Sequence, residues 1–285
     1  MSLRRPRLDS PLPYSIDLEP LRETLTAYGG LPQMAEAFRA LGGAAAVEAG
    51  LRFKERQRGF SEVQLVESFV LLLAAGGECL DDFARLGADQ GLVALVGHEL
   101  PSPETARKFL YRFHDADQAA QRPQQALSWV PPEGEPLRAL DAVNQAVITE
   151  FGRRFPAERH GTVDMDATIS ESRKREALAH YEGGRGYPPE IAVWAETGMV
   201  LADEFRDGNV PAGSDPLSVT RRAFAALPES VTERSFRGDS ACYNHELLNW
   251  LRDERRAGGP AGRIRFAVSA DMSRDLRARI AALPE

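Results

Sequence analysis

The chain has 285 residues, 43% apolar and 27% charged, which is enough to bury one large or two ordinary cores and excludes a disordered or fibrous protein. Its 35 basic side chains stand against 42 acidic ones, a net charge of -7, opposite in sign to a protein that coats DNA or a membrane by charge alone. Two cysteines, Cys79 and Cys242, lie far apart without metal-binding spacing, which argues against a disulfide framework or a zinc site.

The opening segment MSLRRPRLDSPLPYS carries arginines but no apolar run behind them, so it does not read as a secretory signal. The longest apolar run, FVLLLAA from Phe69 to Ala75, is too short to span a bilayer and reads as a buried helix. No membrane association is expected. The expected compartment is the cytoplasm, with nucleoid association.

From about Leu21 to His114 the pattern is helical. SEVQLVESFVLLLAAGG has Ser61 as an N-cap and Gly76 and Gly77 as a stop. ECLDDFARLGADQGLVALVG gives two shorter helices punctuated by Gly87, Gly91 and Gly97. In PSPETARKFLYRFHD, Ser102 caps a helix with Pro103 at its first position, and Arg107, Lys108 and Arg112 give it a basic side. It resembles the second helix of a helix-turn-helix, and an ordinary surface helix with i,i+4 charges fits the same residues. Gln121 to Pro136 reads as a connector, and LRALDAVNQAVITEFGRRF as a further helix reaching a boundary near Pro156. Residues 1–155 are therefore expected to form an all-helical domain.

Beyond Pro156 the period changes. HGTVDMDATIS alternates as a strand, with Val163, Met165 and Ala167 on one face and Asp164, Asp166 and Thr168 on the other. IAVWAE and MVLADEFR read as a hairpin across Thr197-Gly198, DPLSVTRRAFAALP as a helix and TERSFRGDS as a short strand. ACYNHELLNWLRDERRAGG reads as a longer helix ended by Gly258 and Gly259, GRIRFAVSA as a strand and SRDLRARIAALP as a last helix. The order fits an α/β domain over 156–285, a mixed sheet with helices on its faces.

Asp164 and Asp166 project to the same side of one strand, and Asp239 closes another. If those strands are neighbours, their carboxylates converge. Oxygen ligands without histidine or cysteine suit Mg²⁺ or Mn²⁺, and two such ions support in-line phosphoryl transfer. Aspartates at strand ends are also turn formers and helix caps, and Asp239 before Ser240 fits a cap equally well.

GTVDMDATI, HYEGGRGYPP, LADEFRDGNVPAG and SFRGDSACYNHELLNWL, in that order, resemble the catalytic domain of bacterial insertion-sequence DDE transposases, and most closely the thirteen-eighty group. LLLAAGGECLDDFARLGAD and LPSPETARKFLYRFH extend the resemblance upstream, to roughly Gly29. The resemblance implies a ribonuclease-H-like fold, partial here, in which acidic residues hold two divalent ions, Mg²⁺ or Mn²⁺. It also implies DNA as substrate, through element ends and target, DNA binding by the helical domain over residues 1–155, and synapsis by a homodimer. The first family acid matches Asp166, with Asp164 as the alternative, and the second matches Asp239. Arg237 and the cluster Arg173, Lys174 and Arg175 are candidate phosphate contacts or plain solvated charge. The family's third acid, a glutamate on a downstream helix, has no match, although Asp275 lies 36 positions beyond Asp239. The expectation is a truncated, inactive enzyme. The alternatives are a non-catalytic DNA-binding remnant that inhibits transposition, or a metal-dependent nuclease of the same fold.

Overall fold

The computed structural model describes residues 24–53, 59–123, 128–270 and 272–283. The segment read as lacking a secretory signal, the middle of the connector and Asp271 lie outside them.

Eight helices precede the sheet among the described residues: α1 Leu31–Ala40, α2 Gly43–Gly50, α3 Glu62–Ala74, α4 Asp82–Gly87, α5 Gln90–Val96, α6 Pro103–Leu110, α7 Ala116–Ala120 and α8 Glu135–Arg154. The expected start of α3 is a full capping box: Ser61 Oγ accepts from the Gln64 amide at 3.2 Å, and Gln64 Oε1 accepts from the Ser61 amide at 2.9 Å. Leu71, Leu86, Leu92 and Val96 pack together, while Phe53, Phe109 and Phe113 meet edge to face beside them. Buried Glu67 is held by Arg39 Nε at 2.7 Å and His98 Nε2 at 2.9 Å, so this helical core encloses one fully partnered charge.

Helix α8 serves two cores. Its Val143 packs with Val47 and Phe109 in the helical part, and its Ile148 and Phe151 pack against Trp194 of the sheet. The expected boundary near Pro156 follows a helix shared by both.

The second half contains β1 His160–Ala167, β2 Ser170–Glu171, β3 Leu178–Ala179, β4 Arg185–Tyr187, β5 Glu190–Trp194, β6 Met199–Glu204, α9 Pro216–Ala226, β7 Glu233–Gly238, α10 His245–Arg252, β8 Ile264–Val268 and α11 Arg274–Ala281. A mixed five-stranded sheet runs β6-β5-β1-β7-β8, with β1 antiparallel to β5 and parallel to β7. Alternation sends Val163, Met165, Ala192, Trp194 and Phe236 into one core with Val219 and Phe224 of α9 and Leu247 and Leu251 of α10. The opposite face, with Thr162, Asp164, Asp166, Ser235 and Arg237, is polar and at least partly exposed. The hairpin turns where expected, with Gly198 at φ 75°.

The stretch between β1 and β5, to which the pattern assigns no element, forms a second sheet, β2-β4-β3, whose strands of two or three residues are too short to show alternation. One reading needs correction. The helix after Asp239 is shorter than expected. A 3-10 turn occupies Ser240–Cys242, α10 starts only after Asn244, and Asn244 Oδ1 caps it by accepting from the Glu246 amide at 2.9 Å. It stops at Arg252, well before Gly258, because Asp253 turns to extended backbone.

Candidate metal and DNA site

The parallel register pairs Asp164 with Arg237 and Met165 with Gly238. Asp166 follows Met165 within β1 and Asp239 follows Gly238 just past the end of β7, so the register brings both positions to the same end of two neighbouring strands. Both are exposed. Asp166 Oδ1 accepts from the Ala167 amide at 2.9 Å, and Asp239 Oδ1 accepts from the Ala241 amide at 2.9 Å. The cap reading of Asp239 therefore holds, and its other oxygen has no partner among the described residues.

Asp164 is placed differently. Arg237 grips it with two prongs, Nε to Oδ1 at 2.9 Å and Nη2 to Oδ2, and this guanidinium holds the Asp164 carboxyl below the usual carboxylate range. Asp164 is thus engaged by a cation rather than open towards a metal, and the positive charge of Arg237 is already partnered.

Behind the aspartates lies a polar floor that the sequence pattern did not reveal. Glu190 opens β5 opposite Ala167 and is buried. Its Oε2 accepts from Nη1 of the equally buried Arg206 at 2.5 Å, while Arg206 Nε reaches Glu204 at 2.8 Å and Nη2 reaches the Ser214 carbonyl at 2.8 Å. Burial pushes the Glu190 carboxyl up to about 7, Arg206 opposes that, and Glu204, Asp239 and Asp166 add to it. The loop that Arg206 ties down leans on the turn after Asp239: a Cβ on Gly213 would lie 3.1 Å from the Ala241 carbonyl. The available signal was a glutamate in the inward register of a strand, in line with Ala192 and Trp194.

Beneath Asp239, the thiol of Cys242 is buried, and burial first, then Glu190, Asp239 and Asp166, push it up to about 12. It stays protonated and unreactive. A Cβ on Gly238 would meet its Sγ at 2.6 Å, so the glycine lets the strand end lie directly on this thiol.

The basic candidates divide. Arg173 and Lys174 are exposed in the loop between β2 and β3 and form no ion pair among the described residues. On α6, Arg107 and Lys108 share Glu104, at 3.1 and 3.4 Å. Arg112 turns back to the helical core, donating to the Phe53 carbonyl at 2.9 Å with its guanidinium 5.9 Å from the Phe53 ring centre. Asp275 is exposed in the first turn of α11.

Among the described residues no group of three histidine, cysteine or acidic side chains is arranged to hold a metal. The pair Asp166 and Asp239 nevertheless fits Mg²⁺, an ion commonly bound through one or two carboxylates with water and substrate phosphate completing its shell. No helix among the described residues is long and apolar enough to cross a membrane.

No curated protein matches the chain. Residues 15–284 match the family described as transposase DDE domain group 1, a span that contains the paired aspartates and both halves of the fold. The chain belongs to the transposase DDE domain group 1 family.

Proposed function

We propose that this protein cleaves element ends in DNA and joins them to a target, with Asp166 and Asp239 as ligands of Mg²⁺ or Mn²⁺. The observation that supports this reading is the parallel register of β1 and β7, which ends at Met165 and Gly238, each followed directly by an exposed aspartate. When bound there, divalent ions supply the charge that activates an attacking oxygen and stabilises the leaving one.

The chain's own residues do the positioning. The backbone amides at Ala167 and Ala241 fix one oxygen of each aspartate, leaving the other for a ligand. The Glu190–Arg206 pair holds the floor and the loop behind Asp239. Arg173 and Lys174 are free to meet phosphates, while Arg107 and Lys108 on α6, within a DNA-binding unit over residues 1–155, meet them on exchanging Glu104 for phosphate. Asp164 and Arg237 act as a pair, and either becomes a ligand or a phosphate contact only on release from the other. The full reading places the protein in the thirteen-eighty group, acting as a homodimer on DNA in the nucleoid.

A second reading, binding without cleavage, draws on Glu190. The third carboxylate beside the site is tied to Arg206, not open to a metal. Labelled DNA from either flank of the coding sequence, incubated with the protein and Mn²⁺, separates the two. Nicked and joined products support the transferase, nicked products alone a nuclease, and retention without nicking the binder.

A further inference from the structure

The small sheet β2-β4-β3 is rooted at the site. It leaves β1 within three residues of Ala167, returns through Pro188 and Pro189 into Glu190, and is stitched there by the Thr168 amide donating to the Pro189 carbonyl at 3.0 Å. Its β3–β4 turn is well fixed. The His180 amide donates to the Gly184 carbonyl at 3.0 Å, the Gly183 amide to the His180 carbonyl at 3.0 Å, and the Glu182 amide to His180 Nδ1 at 3.3 Å. His180 is buried as the anchor, and the next residue, Tyr181, is 62% exposed.

The Tyr181 ring meets only the neighbouring His180 ring, edge to face at 6.4 Å between centroids, among the described ring contacts, and most of its apolar surface is left exposed. Its hydroxyl makes no hydrogen bond among the described residues. Partial burial first, and then the negative charges of Glu182, Asp166, Asp239 and Glu190, push the phenol pKa up. Tyr181 therefore projects from the turn of a small sheet whose two ends, at Thr168 and Glu190, are tied to the end of β1 that carries Asp166.

We propose that Tyr181 is a DNA-contacting residue of this site, its ring stacking on the base of a nucleotide next to the phosphate held at Asp166 and Asp239. The inference rests on the DNA-processing reading above. An uncharged phenol ring with Glu182 next to it in the turn offers a phosphate no positive charge. A base offers a neutral face of matching size, and stacking of this kind tolerates any base. Arg173 and Lys174, in the loop across the same small sheet, are the groups suited to the neighbouring phosphates.

The test uses the full chain, a twelve-residue oligothymidylate carrying one 5-iododeoxyuridine, and Ca²⁺ in place of Mg²⁺. Affinity is read by fluorescence anisotropy and contact by photocrosslinking. The expected result is a crosslink in the tryptic peptide spanning residues 176–185. Tyr181→Ala is expected to weaken binding roughly 5- to 150-fold, with Tyr181→Phe within about twofold of wild type. Undiminished binding by the alanine variant, or a phenylalanine variant as weak as alanine, overturns stacking. Failure of the wild type to bind the oligonucleotide at all overturns the DNA-processing reading itself. Because the side chain is exposed, both variants are expected to fold, which circular dichroism checks.

Discussion

Arg237 on β7 stands directly opposite Asp164 on β1 and clasps its carboxylate through two nitrogens, so one of the two aspartates on this strand face is spoken for before any metal arrives. Two residues further along β1, Asp166 has no such cation and, among the described residues, accepts only from the Ala167 amide. The two aspartates that the sequence treats as alternatives thus stand in different surroundings.

The clasp makes a pH-dependent prediction. Asp164 is depressed by Arg237, so its contribution to stability is present above the unfolded value of about 3.9 and is lost as pH falls through the lower folded value. Both side chains are more than a third exposed, so solvent screening keeps the contribution of the pair small. Arg237→Gln should flatten the acid limb of urea-unfolding stability between pH 2 and 5, leaving stability at pH 7 little changed. An unchanged acid limb would contradict the assignment.

Arg206→Met removes the cation and leaves Glu190 buried. The loss expected at pH 8 is about 3–5 kcal/mol. Glu190 has a raised folded value, about 7, so its protonation favours the fold: that contribution is complete below about 4.3 and is lost as pH rises through 7. Without Arg206 the folded value rises further, and the variant should recover part of its stability at pH 5.5. Equal destabilisation at both pH values would show that the ion pair is not what the arginine supplies.

In the helical half, Glu67 raises the His98 pKa through their hydrogen bond, and the stability this adds is full below about 6.5 and disappears as pH rises through the folded value. Thermal unfolding of the wild type should therefore weaken between pH 6 and 8. In His98→Gln that slope should shrink.

Gly238→Ala places a Cβ against Cys242 and should cost about 1–3 kcal/mol by overpacking. Adding Cys242→Ala removes the sulfur but leaves the Cys242 Cβ, 2.9 Å from the new methyl, so recovery should be partial. Chemical denaturation of the two single variants and the double variant measures the coupling, and strict additivity would mean that the two residues do not meet.

These tests also mark where the sequence was readable. Strands β1 and β7 were legible because Val163, Met165 and Phe236 alternate with polar residues, the β5–β6 hairpin because Thr197-Gly198 breaks two apolar runs, and α3 because Ser61 starts it and Gly76 and Gly77 stop it. The tryptophans at 194 and 250 are core, as their flanking patterns suggest. The small sheet was not legible, because strands of two or three residues carry no period. Nor were the ion pairs: Asp164 and Arg237 are 73 positions apart, and their meeting depends on strand order, which local pattern does not encode. Glu190 was hidden for a related reason, since a buried charge becomes visible only with the partner that permits it. Arg112 shows the converse, a basic residue assigned to DNA that instead braces Phe53.

The central claim is that Asp166 and Asp239 together hold a divalent ion. Calorimetric titration of Mn²⁺ into the wild type, Asp166→Asn and Asp239→Asn measures it directly, without requiring knowledge of the DNA sequence recognised. The account predicts binding by the wild type and at least about tenfold weaker binding by each variant, since each loses one of two charged oxygen ligands. Affinity unchanged in both variants would contradict it.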